Sequence, residues 1–400
     1  MKAYPEYKAS GIDWLGDIPS HWEISKYKYH ADSRMGITIL KEQMVEKGLP
    51  IYSATQDDSI LGYTNNRSLL LHSGDFVIPA RGNSIGHVSK VSFDEATCSQ
   101  TTICSTNFRN IYTDYLLFCC KSFKKDWFFF VDTAIPQITV SQIDNNILPL
   151  PPISEQRAIA TYLDDVTGKI DALIAQKRKQ VEDIRAYRTS IITETVTHGL
   201  NPDAPLRPSG IDWLGDIPSH WICTKAKYYI DIKSGEPISK EIINSENSYP
   251  MYGGGEIIGY CKEANIRKGT IIIGRVGARC GCVRIADKDS WATDNALIVT
   301  TNQNTPYFYR LFEAANLNRL NESNAQPLIT ATKVKELRIP LPPLAEQQAI
   351  ADFLDAKTAK IDELISELTK QIDELTEYKQ AVITEAVTGK VDVRDYKPSN

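Results

Sequence analysis

Ser10-Gly-Ile-Asp-Trp-Leu-Gly-Asp-Ile-Pro-Ser-His-Trp22 is spelled out a second time, residue for residue, from Ser209 to Trp221. A chain of 400 residues that repeats such a string is a duplication and reads as two half-molecules. A second frame supports this: Pro149-Leu-Pro-Pro-Ile-Ser-Glu-Gln156 returns as Pro340-Leu-Pro-Pro-Leu-Ala-Glu-Gln347. The first pair of strings lies 199 residues apart and the second 191, so the insert between them is eight residues shorter in the second half. Inserts of different content in one frame suit a protein that reads two different things with one architecture.

Working outward, each proline string opens a helical pattern. Ile159, Leu163, Val166, Ile170, Leu173, Ile184, Tyr187 and Ile191 recur at three and four spacings, interrupted by Lys177 and Gln180. The second half gives Ile350, Leu354, Ile361, Leu364, Leu368, Leu375, Tyr378 and Val382, interrupted by Lys357 and Gln371. Such heptads predict a coiled coil with polar interruptions that fix register, and two such helices in one chain pair most economically with each other, antiparallel.

The inserts are strand-rich. Asp75-Phe-Val-Ile-Pro79, Gly86-His-Val-Ser-Lys-Val91 and Thr270-Ile-Ile-Ile-Gly274 are β-branched or aromatic runs bounded by turn residues. Pro50-Ile-Tyr-Ser53 aligns with Pro250-Met-Tyr-Gly253, so the inserts are diverged copies of one α+β domain. Trp14, Trp22, Trp213 and Trp221 read as packing anchors. The expected fold class is α+β: two duplicated α/β domains separated by two long antiparallel coiled-coil helices, with pseudo-twofold symmetry. The expected boundaries are 1–152, domain one; 153–198, long helix one; 199–208, linker; 209–343, domain two; 344–389, long helix two; and 390–400, tail.

With 42% hydrophobic and 24% charged residues, the composition is that of an ordinary globular protein. No apolar run approaches a membrane span, and Met1-Lys-Ala-Tyr-Pro-Glu6 lacks the layout of a secretory signal, so a cytoplasmic protein with no membrane partner is expected. The eight cysteines are spaced as small hydrophobes rather than as a disulfide framework. Cys280-Gly-Cys282 with Cys261 lacks paired zinc motifs, and no metal site is expected.

Catalytic signatures are missing: there is no phosphate loop, dinucleotide fingerprint, nucleophile elbow or metalloprotease motif. Asp203 with Asp231-Ile-Lys233 can be forced onto a nuclease pattern, but a linker and a repeated string intervene. No carboxylate or nucleophile stands beside His21 or His220 at a catalytic spacing.

Binding features are richer. Arg81-Gly-Asn-Ser-Ile-Gly86 and Arg275-Val-Gly-Ala-Arg-Cys-Gly281 each follow a predicted strand. Glycine allows close backbone approach, while Arg and Asn pair with guanine and adenine edges or bind phosphate. The candidate nucleic-acid contacts are Arg81, Asn83, Ser84, Asn66, Arg67, Gln100 and Thr101 in the first insert, and Tyr252, Gly254, Arg275, Arg279 and Asn295 in the second. Net charge is −5, yet residues 222–339 hold 16 Lys/Arg against 12 Asp/Glu, while 345–389 hold 4 against 10. Acidity sits on a helix, so overall charge does not exclude DNA.

Taken together, the two repeated strings in repeated order resemble the specificity subunits of type I DNA restriction-modification enzymes over nearly the whole chain. That resemblance implies two target-recognition domains, each reading half of a bipartite, asymmetric double-stranded DNA site, with the long helices as ruler and docking surface. It implies a non-catalytic subunit with no cofactor of its own. Two modification subunits would use S-adenosylmethionine for adenine N6 methylation, and two restriction subunits would use ATP and Mg2+. The expected subunit-docking positions are Ile159, Leu163, Ile170, Ile184, Leu354, Ile361, Leu364 and Leu375. A methylation-only complex is the alternative, and a stand-alone nuclease a more distant one.

Overall fold

The computed structural model describes residues 2–128, 137–239, 243, 248–321 and 327–398. The chain forms two compact units, Met1–Lys177 with Lys370–Asn400, and Arg178–Thr369. The dividing lines fall inside the long helices Ile153–His198 and Leu344–Val387. The boundaries before residues 153 and 344 therefore separate secondary structure, not compact bodies. An amphipathic helix needs its apolar face covered, and each unit covers half of both helices.

In the first unit, a four-stranded antiparallel sheet runs in the order Ser89–Lys90, Phe76–Pro79, Thr102–Thr106, Asp32–Met35. A second sheet contains a parallel pair, Glu95–Cys98 with Leu49–Tyr52. Strand alternation feeds two cores: Phe76 and Ile78 join Trp22, Tyr27, Tyr115 and Trp127, while Val77 joins Tyr52, Cys98 and Cys104. The strand predicted from Gly86 shrinks to Ser89–Lys90; the residues before it form a turn, with the His87 N–H bonded to the Ser84 carbonyl.

The second unit repeats the plan. Its four-stranded sheet is ordered Ile230–Ser234, Ala296–Thr301, Ile271–Gly274, Val283–Ile285, and Tyr249–Tyr252 pairs in parallel with Trp291–Ala292. Ile271 and Ile273 join Trp221, Tyr307 and Phe312, whereas Ile272 joins Tyr252 and Ile298. Each domain also carries a short helix capped by a threonine, Thr139 before Val140–Asn145 and Thr330 before Ala331–Glu336, so the exposed amides of its first turn are satisfied by the sequence itself.

Within each unit the two half-helices run antiparallel. In the first, Lys379 Nζ meets Asp171 at 2.6 Å and Lys177 Nζ donates to Gln371 Oε1 at 2.6 Å; the polar interruptions Lys177 and Gln371 thus face each other. In the second, Arg188 Nε meets Asp362 at 3.0 Å. The seam differs from the predicted stripe at four places. Ile174, not Leu173, follows Ile170, and Arg188 stands where Tyr187 was expected. In the second helix Ile365 and Lys379 replace Leu364 and Tyr378. The displaced residues are 45–57% exposed, because at these places the seam advances by four residues, not three.

The tail 390–400 is not a free appendage. Among its described residues, Asp392 bridges Lys2, Lys390 Nζ donates to the Asp17 carbonyl at 2.5 Å, and the Tyr396 ring packs on Tyr162 at 4.9 Å. In the second unit the linker supplies the corresponding strand, Leu206–Pro208 on Asp216–Pro218, where the first has Tyr7–Ala9 on Asp17–Pro19. Of the four tryptophans expected to anchor packing, Trp22 and Trp221 are fully buried, but Trp14 is 36% exposed.

Candidate DNA-reading surface

The two repeated strings meet in space. His21 Nε2 lies 2.7 Å from Glu155 Oε1, while Trp22 Nε1 donates to Oε2 at 2.9 Å and Tyr4 OH donates to it at 3.2 Å. In the second unit His220 and Trp221 bind Glu346 at the same 2.7 and 2.9 Å. The adjacent glutamines also match: Gln156 accepts from the Tyr112 N–H and Gln347 from the Asn304 N–H, and their amides donate to the Pro151 and Pro342 carbonyls. Burial and the Glu155 carboxylate push the Tyr4 phenol far above its ordinary range. Sequence reasoning missed these carboxylate partners. The clusters hold each domain to the start of its long helix, and no nucleophile joins them in these contacts.

The diverged loops sit at corresponding sheet ends. In the first unit, loops around residues 36, 53, 80 and 100 converge. A Cβ on Gly36 would lie 2.2 Å from the Ser99 carbonyl oxygen, so only glycine fits there. The Ser53, Ser99 and Thr101 hydroxyls bond one another at 2.8–3.4 Å, and Thr38 donates to Gln100 at 2.7 Å. The Ala80 N–H binds the Thr101 carbonyl, and the Ile138 N–H binds the Ala80 carbonyl. The second unit repeats this wiring: a Cβ on Gly235 would lie 2.2 Å from the Thr293 carbonyl, the Arg275 N–H binds Asn295, and the Ile329 N–H binds Arg275.

This wiring corrects the pairing of the two loops. Arg275 corresponds to Ala80, and Arg81 to Val276; Arg81 bridges Gln137 and Val276 bridges Leu328. The two leading arginines are therefore one residue out of step, and along extended backbone that step changes the face a side chain points to. Arg81 and Asn83 are exposed. Arg275 is half-buried, its Nη1 3.4 Å from Ser234 Oγ and its Nε without a partner among the described residues. Arg279 stands where the first unit has Ser84 and pairs with Glu256 at 2.5 Å.

Several candidates make contacts within their own domain. Ser84 is buried and donates to the Ala54 carbonyl at 3.0 Å; Tyr252 is 6% exposed within a core. Gly254 provides close backbone packing, its carbonyl oxygen only 2.3 Å from a Cβ placed on Gly274. Asn66 closes a local turn by accepting from Ser68, and Arg67 pairs with Glu95 at 2.6 Å. Arg81, Asn83, Gln100, Arg279 and Asn295 remain exposed, with Thr101 half-exposed. Among the docking candidates, Ile159, Leu163, Ile170, Leu354 and Ile361 are already buried, Ile184 and Leu375 are half-buried, and Leu364 is exposed.

The nuclease lead dissolves: Asp231 pairs with Lys335 at 2.9 Å, which holds its carboxyl below the ordinary range. Among the described residues, no cluster of His, Cys, Asp and Glu is arranged to hold a metal ion, and no helix is long and apolar enough to cross a membrane.

Paired domains with one backbone plan and different exposed side chains, each locked to a long helix, define a duplicated recognition protein. Residues 19–183 and 225–374 match the type I restriction modification DNA specificity domain, and the chain belongs to that family. It is a recognition subunit, not an enzyme. It is 25% identical to the putative type I restriction enzyme MjaX specificity subunit of Methanocaldococcus jannaschii, over 95% of this chain and 96% of that one. The EcoprrI specificity subunit of Escherichia coli is 33% identical over 35% of each chain. A chain from a structure described as the basis of complex assembly and conformational transition of the type I R-M system shares the fold, with a TM-score of 0.69 at 17% identity, covering 94% of this chain and 99% of that one.

Proposed function

We propose that each unit reads one half of a bipartite, asymmetric DNA sequence, the first through Arg81, Asn83, Gln100 and Thr101, the second through Arg275, Arg279 and Asn295. The observation that carries this is the shared backbone wiring beneath unlike exposed side chains. Such a design changes specificity without changing fold, and Arg and Asn have the geometry for base edges. Linking two moderate half-site affinities gives one tight composite specificity. The chemistry belongs to partners: two modification subunits that use S-adenosylmethionine to methylate adenine N6, and two restriction subunits that use ATP and Mg2+.

The exposed apolar residues suit modification-subunit docking better than the buried stripe. Leu173 and Tyr378 each stand one residue before a seam position of the first unit's helix pair, and Tyr187 and Leu364 do so in the second. At 100° per residue in an antiparallel pair, each couple shares a flank. Two equivalent couples fit two copies of one partner.

Co-expression with the modification subunit followed by methylome sequencing tests the reading. Adenine methylation at a two-part motif is expected, with no methylation or cleavage by the chain alone. Cleavage by the isolated chain would overturn it.

A further inference from the structure

Beside the second unit's reading loop lies an open pocket of about 550 Å³, lined by Asp212, Trp213, Arg319, Lys333, Glu336 and Arg338, among others. The helical turn Leu317–Leu320 that carries Arg319 is the one against which Gly281, at the end of the Arg275–Gly281 loop, packs: a Cβ on Gly281 would lie 2.4 Å from the Asn318 nitrogen. The pocket and the loop thus share this turn.

Its charges are unevenly committed. Glu336 is held by Lys225 at 2.6 Å and Lys227 at 2.8 Å, which pull its carboxyl down to about 2, so its charge is spent on them. Arg319 lies over the Trp213 ring at 4.7 Å and has no acidic partner among the described residues; partial burial alone holds its guanidinium below the ordinary range. Arg338 is exposed and likewise has no acidic partner there. The Trp213 indole N–H is also without an acceptor among the described residues. A partly desolvated arginine stacked on an aromatic ring is preorganised for bidentate phosphate binding.

Among the described residues, the first unit lacks this arrangement. The Tyr27 N–H binds the Asn146 carbonyl as Ala226 binds Leu337, and Ile147 pairs with Lys26 as Arg338 pairs with Lys225. Asn145 and Ile147 therefore stand where Glu336 and Arg338 do. The ring of Trp14 packs on Phe123 at 4.6 Å, not under an arginine.

We infer that Arg319 and Arg338, around Trp213, form a phosphodiester-binding site that anchors the DNA backbone beside the second half-site. This rests on the DNA-reading assignment above. A backbone contact fixes register and carries no sequence information, so it leaves specificity to the neighbouring loop.

The test uses the full chain with its modification subunit. Affinity for a duplex carrying the methylated motif is measured from 50 to 200 mM salt for wild type, Arg319→Ala, Arg338→Ala and Arg319→Lys. Each alanine variant should bind more weakly and lower the slope of log K against log salt by about 0.9, the value for one lost phosphate contact. Base preference in a random-duplex selection should stay unchanged, and Arg319→Lys should keep the slope. Unchanged slopes in both alanine variants, or relaxed base preference at one half-site, would overturn the phosphate assignment. If wild type itself selects no sequence, the DNA-reading assignment fails instead. Both arginines reach solvent, Arg319 from its seat on Trp213, and Arg319→Lys provides a check on folding.

Discussion

The locks and the loops of the same two units teach opposite lessons. At the locks, His21, Trp22 and Glu155 are matched by His220, Trp221 and Glu346 to a tenth of an ångström. At the loops the backbone bonds match, yet Arg81 faces a valine in the other copy and Arg275 an alanine. A carboxylate that takes several donors tolerates little change, since each lost partner leaves a polar group unpaired. An exposed side chain on the same scaffold can be replaced at small cost in stability. Duplication has kept what joins domain to helix and released what meets the ligand.

The largest test breaks the equivalence of the locks. The Glu155 side chain is 9% exposed and that of Glu346 42%, and only Glu155 serves a tyrosine as well. Glu155→Ala should therefore cost about 3–5 kcal/mol, and Glu346→Ala about 1–2 kcal/mol, read from urea unfolding followed by tryptophan fluorescence. Equal losses would show that exposure does not set the strength of the lock.

A middle-sized effect sharpens the loop comparison. Arg81→Ala should weaken and relax one half-site by about 1–3 kcal/mol while leaving the other intact, and Arg275→Ala should do the converse. Selections on randomised half-sites read both, and a change at the same half-site from both variants would sink the one-domain, one-half-site assignment. For partner docking, Leu173→Asp with Tyr378→Asp should reduce modification-subunit co-purification without lowering the unfolding midpoint. A lowered midpoint would mean that these residues support the helix pair instead. The smallest effect is Arg67→Ala, which removes an exposed ion pair with Glu95 and should shift stability by less than about 1 kcal/mol, with base preference unchanged. A changed preference would return Arg67 to the reading surface.

Much of this was legible in the sequence. The repeats give the two copies, the Pro-Pro strings give the helix starts, and the strand runs give the sheets. The lock was not, because His21 and Glu155 are 134 residues apart, and nothing local in a histidine announces a distant carboxylate. The one-residue offset between Arg81 and Arg275 was hidden because both simply follow a strand; only the amide bonds of Ala80 and Arg275 show which residue matches which. Ser84 and Tyr252 looked like contacts because polar and aromatic types serve binding and scaffold equally. The helix stripe was found, but placing Leu173 rather than Ile174 on it exchanged the covered face for the free one.

The first unit is assembled from both ends of the sequence, Met1–Lys177 and Lys370–Asn400, while the second is the uninterrupted stretch Arg178–Thr369. During synthesis, which adds about 5–20 residues per second, the second unit has all its residues before the first does. The domain translated first is the last to be completed, and until the second half of Leu344–Val387 arrives its Ile159 and Leu163 lack the Val382 and Ile383 that cover them. Residue 369 leaves the ribosome before residues 370–400 do, so the order of translation and the order of completion run in opposite directions.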